Sequence, residues 1–250
     1  MKYISVDVET LGLNTERHSL IEVGAVFDDL KTPIDKLPTC HFYVVNEDNT
    51  YIGDPFAMSM HSAILKRIAN REEGFHYVPE DCVDGVFYDF IHLNCGYEPN
   101  EKVTIAGKNF GNFDMRFLRR YGFAKMWKMA HRFIDPGSMF LQKEDVSVPS
   151  LKLCLERSGV HKEVSHTAID DAMDVVRLLR YKLCNQSFYV PSDVPMNKVE
   201  ERLQDEHLGI VAEFPTFSES WDYVQKRRKE PLGTSSMFTI HMSNGEKVVV

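Results

Sequence analysis

Asp7 and Glu9 stand two residues apart in the stretch Tyr3-Ile4-Ser5-Val6-Asp7-Val8-Glu9-Thr10. The stretch alternates as a strand does, so Ile4, Val6 and Val8 face one way and Ser5, Asp7 and Glu9 the other. Two carboxylates side by side on one face of a core strand repel each other. A hard divalent cation neutralises that repulsion, and Mg²⁺ takes oxygen ligands while keeping positions open for water or phosphate. Read alone, the stretch fits an edge strand with a solvated acidic face better, because short motifs match by chance, so the chemistry must be argued from what lies downstream.

Two further groups bear on it. Asp114 follows a short apolar strand, Val103-Thr104-Ile105-Ala106-Gly107, and opens an amphipathic helix through Tyr121. By itself it is an acid in a first helical turn, favoured by the helix dipole. His166 enters the most regular helix of the chain, Thr167 to Leu183, whose stripe is Ala168, Ala172, Val176, Leu179 and Leu183. Asp170 and Asp171 both lie in its first turn, and periodicity does not choose between them as a ligand.

Taken in order, these groups read Asp-x-Glu on a first strand, Asp at a later helix start, and His-x-Ala-x-x-Asp-Ala on the last long helix. That order resembles the DEDDh family of 3′-to-5′ exonucleases, which includes the proofreading subunit of bacterial DNA polymerase, ribonuclease T and oligoribonuclease. The resemblance covers about residues 1 to 185. Asp7-Val8-Glu9-Thr10-Leu11-Gly12-Leu13 is similar to the family's Asp-x-Glu-Thr-x-Gly-Leu, and Leu20-Ile21-Glu22-Val23-Gly24-Ala25 to its second strand. Asn109 and Phe113-Asp114 match Asn-x-x-x-Phe-Asp; Lys108 departs from the His that many members carry before that Asn.

The resemblance implies an α/β fold, a ribonuclease H-like mixed sheet flanked by helices. It implies two Mg²⁺ ions, with Mn²⁺ able to substitute. Asp7, Glu9 and Asp171 would hold one ion, Asp7 and Asp114 the second, and His166 would take the proton from the attacking water. The family pattern also favours Asp171 over Asp170. Thr10, Leu11, Asn109 and Phe110 are the expected substrate contacts, although a buried turn Leu is an equal reading of Leu11. Of the two rings Phe110 and Phe113, core packing suits Phe113 better. The expected activity is release of nucleoside 5′-monophosphates from the 3′ end of single-stranded DNA or RNA, or of short oligoribonucleotides. A catalytically silent nucleic-acid-binding or recruiting subunit is the alternative from another class, and the presence of all five catalytic residue types argues against it. A homodimer or a polymerase or replication partner is compatible with the resemblance.

Stepping outward, the acids need a sheet and helices to hold them. Leu20 to Phe27 and Cys40 to Val45 complete a three-strand meander, Pro55 to Ile68 reads as a helix with Met58, Ile64, Leu65 and Ile68 inward, and Glu80 to Leu93 as another. Phe133-Ile134-Asp135 reads as a short strand, and Ser150 as the cap of a helix through Arg157. Strands followed by strands alternating with helices indicate an α/β sheet with helical layers. From residue 186 to 250 prolines punctuate a C-terminal extension, expected to pack on the same domain. Within it Glu200-Glu201 and Asp205-Glu206 read as a short helical stretch, Lys226-Arg227-Arg228-Lys229 as a solvated basic face or a nucleic-acid contact, and the segments around Asn244-Gly245 as a terminal β-hairpin.

Composition sets bounds. The 250 residues carry a formal charge of −8, against a protein that wraps long duplex through many phosphate contacts. It is compatible with an enzyme that grips a few nucleotides through metal ions. No apolar run reaches the ~20 residues that span a bilayer. The five scattered cysteines form no Cys-x-x-Cys pair, so neither zinc nor a disulfide framework is expected, and a reducing cytoplasm is.

Overall fold

The computed structural model describes residues 1–159 and 167–184, together with strands at 197–203, 206–214, 236–241 and 247–249. The chain divides into two compact units, Met1–Phe188 and Tyr189–Val250. Among the described residues no helix is long and apolar enough to cross a membrane.

In the first unit, β1 (Tyr3–Thr10), β2 (Leu20–Asp28) and β3 (Thr39–Val45) form the expected antiparallel meander. Two helices follow, α1 (Pro55–Met60) and α2 (Ser62–Asn70), then β4 (Tyr77–Pro79) and α3 (Val83–Asp89). Next come β5 (Lys102–Val103), β6 (Ile105–Ala106), α4 (Asp114–Arg120), β7 (Lys128–Met129), α5 (Pro136–Met139), α6 (Leu151–Arg157) and α7 (Ala168–Cys184). The main sheet has the order β4-β3-β2-β1-β6, with β6 parallel to β1 and β4 parallel to β3. A mixed five-stranded sheet flanked by helices is therefore what the sequence builds.

The alternation in β1 divides the core into two layers. Ile4, Val6 and Val8 join Val23, Ala25, Phe27, Phe42 and Val44 against Phe87, Phe90, Leu118 and Trp127. On the opposite face Tyr3, Val26 and Ala106 pack on Ala172, Val175, Val176 and Leu179 of α7. Gly24 makes this second layer thin. A Cβ there would overlap the backbone of Ala168 and Ile169, so the start of α7 lies directly on β2. The far end of α7 is pinned by charge: Arg180 donates to both carboxylate oxygens of Asp28 (2.6 and 2.9 Å) and to the Thr32 carbonyl, while the Tyr3 hydroxyl donates to Asp28 Oδ2 at 2.7 Å.

Several expectations are corrected. The helix expected over Pro55 to Ile68 is broken at His61, whose φ of −94° and ψ of 20° leave the helical region; the break lets Ile64 and Ile68 pack with Leu11, Ile21 and Tyr43. The stretch from Glu80 to Leu93 passes from a 3₁₀ turn through α3 into a wider π turn over Phe90–Asn94. Val103 to Ala106 is split between sheets, because β5 pairs with β7 while β6 pairs with β1. Phe133–Asp135 contributes a single bridge, Ile134 to Ala106. Leu183 ends its stripe 45% exposed, past the last turn that meets the sheet.

In the second unit, the segment read as helical is β8 (Asn197–Leu203) and β9 (Glu206–Phe214). Glutamates favour helix, but β8 is an inner strand of a sheet ordered β11-β10-β8-β9, and pairing on both edges overrides local propensity. β10 (Ser236–His241) and β11 (Lys247–Val249) form the expected terminal hairpin. The basic run at 226–229 lies outside the described residues.

Candidate metal centre and active site

β1 delivers Asp7 and Glu9, and α7 delivers Asp171, to one place: each offers a carboxylate oxygen within 4.8 Å of the others. Geometry separates the two acids that periodicity left equivalent. Asp170 is exposed and accepts from the Thr167 hydroxyl at 2.7 Å, while Asp171 turns under the helix and is 8% exposed.

Asp114 arrives from the other edge of β1. Pairing between β1 and β6 stops at Ser5 and Ala106, and further along β1 the Val8 amide donates to Asp114 Oδ1 at 3.2 Å. Asp114 is 3% exposed in the first turn of α4, where the helix dipole favours a carboxylate.

Among the described residues the carboxylates of this site form an acidic cluster. Burial, then the charges of Asp114, Glu9, Asp171 and Glu22, push the Asp7 carboxyl well above its ordinary range. Burial, then Glu22, Asp171 and Asp114, push Glu9 up to about 8. Burial also raises Asp114 to about 7, against the lowering effect of the backbone amides it accepts from, with Asp135 adding to the rise. The charged neighbours that raise these groups are all carboxylates, so the donor set suits a hard divalent cation.

Two residues of this site carried no signal in isolation. Glu22 lies opposite Glu9 in the β1–β2 register and is fully buried, with Oε1 2.6 Å from His41 Nε2. His61, 3% exposed at the α1–α2 break, brings Nε2 to 3.4 Å from Glu9 Oε2. A buried His four residues after a half-exposed apolar turn is legible only once α1 is seen to end there.

The expected substrate contacts fare unevenly. Leu11 is fully buried and Thr10 is 7% exposed, its hydroxyl donating to the Gly12 carbonyl. Phe110 is 1% exposed and packs edge-on with Phe133, so it offers no face to a base. Phe113, expected in the core, is half-buried beside Phe117. Asn109 is exposed at φ 59°, its amide donating to Asp135 Oδ2 at 3.0 Å. His166 lies outside the described residues.

No protein-family profile matches the sequence, and no curated protein matches it. Solved structures do match in fold. E. coli exonuclease I in complex with a dA16 oligonucleotide gives a TM-score of 0.52 at 14% identity, over 80% of this chain and 47% of that one. The zinc-bound form of its complex with single-stranded DNA gives 0.51 at 14% identity, with the same shares covered. The complex with a 5cy-dT13 oligonucleotide gives 0.52 at 13%, over 100% of this chain and 65% of that one. The chain thus spans about half the length of the exonuclease I chain in the first two matches. At such identities the likeness is one of architecture: this chain has the ribonuclease H-like fold found in E. coli exonuclease I.

Proposed function

We propose that this protein is a metal-dependent 3′-to-5′ exonuclease that acts on single-stranded DNA and releases nucleoside 5′-monophosphates. The observation that carries the reading is the convergence of Asp7, Glu9 and Asp171, from two distant parts of the sequence, within 4.8 Å. The fold shared with exonuclease I, whose complexes hold oligonucleotides, supports the choice of substrate.

Asp7, Glu9 and Asp171 would hold one Mg²⁺, and Asp7 with Asp114 a second. Bound there, such ions neutralise phosphate oxygens, lower the pKa of water and stabilise the leaving oxygen. The chain's own part is to present its carboxylates ionised. Since Glu9 and Asp114 are pushed up to about 8 and about 7, loading at neutral pH displaces protons from them. His166, two residues before α7, accepts the proton of the attacking water. The water oxygen bonds to phosphorus, the bond to the 3′ oxygen of the preceding nucleotide breaks, and that oxygen takes a proton from solvent water to become a new 3′ hydroxyl, while His166 returns its proton to solvent.

The test is digestion of matched 5′-labelled DNA and RNA oligomers of several lengths with Mg²⁺, products resolved over time. Stepwise loss of mononucleotides from the 3′ end of DNA is expected, and Asp7→Ala abolishes it while the protein stays folded. Activity of Asp7→Ala within a few-fold of wild type at saturating Mg²⁺ would sink the assignment. Preference for RNA only a few nucleotides long would move the substrate, and binding without hydrolysis would leave a binding module.

A further inference from the structure

Lys108 follows β6 by two residues, where the pattern departs from the family's His. β6 runs parallel to β1 with Ser5 opposite Ala106, so Val6-Asp7 and Gly107-Lys108 leave that pairing side by side. The approach is close: a Cβ on Gly107 would stand 2.7 Å from the Val6 carbonyl oxygen. Asp135 holds both the lysine and the turn that follows it: its Oδ1 lies 3.8 Å from Lys108 Nζ, and its Oδ2 accepts the Asn109 amide. Lys108 is thereby placed beside Asp7 at the end of β6, six residues before Asp114 opens α4.

The ammonium there is little used. Lys108 is 19% exposed, so much of its stem is covered, yet 3.8 Å is beyond hydrogen-bonding distance. An ammonium has three protons to donate. Asp135, for its part, does not depend on Lys108. Its Oδ1 accepts the Gly137 amide at 2.7 Å and its Oδ2 the Asn109 amide at 3.0 Å, so the carboxylate stays satisfied if the lysine swings away. A permanent cation held loosely by Asp135, in the turn that follows the strand paired with β1, in a chain of net charge −8, matches an anion that arrives with the substrate.

We propose that Lys108 forms a phosphate subsite, binding a phosphodiester on the 5′ side of the scissile bond. This deepens the exonuclease reading above and rests on it. Metal ions serve the scissile phosphate; the next phosphates of the strand carry full charge toward the same carboxylates and need a cation of the protein's own.

The experiment uses the full chain with Mg²⁺ and a short oligothymidylate series, each member carrying one uncharged methylphosphonate linkage at a different position upstream of the terminal bond. In wild type, one position should raise KM on the order of 10-fold. In Lys108→Ala, KM for the unmodified strand should already be raised by that amount, and the methylphosphonate at that position should cost nothing more. Lys108→Arg should restore the wild-type pattern. The slope of log KM against log salt should shrink by about 0.7 in Lys108→Ala, the value for one phosphate of a single strand. Wild-type KM in Lys108→Ala, or a penalty that adds to that of every methylphosphonate, overturns the subsite. If wild type releases no mononucleotide from the unmodified strand, the exonuclease reading itself fails and the subsite falls with it.

Discussion

Asp28 and Asp7 lie on neighbouring strands under the same helix, and the chain treats them in opposite ways. At the Asp28 end, Arg180 closes both oxygens and the Tyr3 hydroxyl adds a third bond, with the arginine 5% exposed and the aspartate fully buried. Asp84 is neutralised by other means: it accepts the amides of Ala124, Lys125 and Met126 and the Trp127 indole N–H, at 2.9 to 3.1 Å. At the Asp7 end four further carboxylates, Asp114, Glu9, Asp171 and Glu22, crowd in, and their charges push the Asp7 carboxyl up. The chain thus satisfies buried carboxylates in two places and sets them against one another in a third.

Breaking the satisfied end should have the largest effect on stability. Arg180→Ala leaves Asp28 buried without its cation, and removing one partner of a buried pair costs about 3–5 kcal/mol. Urea denaturation would measure it; a loss below about 1 kcal/mol would mean that the pair is not what pins α7 to β2.

The acidic end should respond to pH and metal. Glu9 and Asp114 have ordinary values of 4.5 and 3.8 and are pushed up to about 8 and about 7 in the folded protein. Between those limits the folded state binds protons that the unfolded state has released, so stability falls as pH rises. In EDTA, Tm should decline from about pH 5 to about pH 8 over the window set by these shifts. Mg²⁺ binds the ionised form, and at 100 times its Kd it should add about 2.7 kcal/mol, with a larger Tm gain at the upper end of the window than at the lower. A Tm that climbs with pH in EDTA, or a Mg²⁺ shift that ignores pH, contradicts the contrast drawn here.

A smaller effect separates the site from its support. His61 approaches Glu9 from the α1–α2 break, and groups that orient metal-binding carboxylates typically account for about 10–100-fold in metal affinity. His61→Ala should weaken Mg²⁺ binding, measured by calorimetry, within that range. A Tm change with unaltered Mg²⁺ affinity would reduce His61 to a packing residue.

Much of this was legible in the sequence because its signals are short-range. Period-two alternation placed Asp7 and Glu9 on one face of β1, and a 3.6-residue stripe placed Ala168, Ala172, Val176 and Leu179 inward on α7. Ser150 caps α6 as its side chain predicts, accepting the Leu153 amide at 3.2 Å. The order of the acids along the chain, through the resemblance it carries, named Asp7, Glu9 and Asp171, which the fold brings within 4.8 Å of one another.

Tertiary structure decided what local pattern leaves degenerate. Asp170 and Asp171 differ by about 100° around one helix, and only the roll of α7 on Gly24, held by Arg180 at its far end, turns Asp171 toward Asp7. Phe110 and Phe113 share one loop and one residue type, and which ring is enclosed depends on Phe123 and Phe133 arriving from elsewhere. Glu22 reads only as part of a second strand and His61 has no motif; strand pairing and a helix break bring them beside Glu9. The glutamates of β8 read as helical until partners on both edges are present. Periodicity is a property of neighbours in sequence, whereas a carboxylate's charge state and a ring's burial are set by groups that only folding brings within reach.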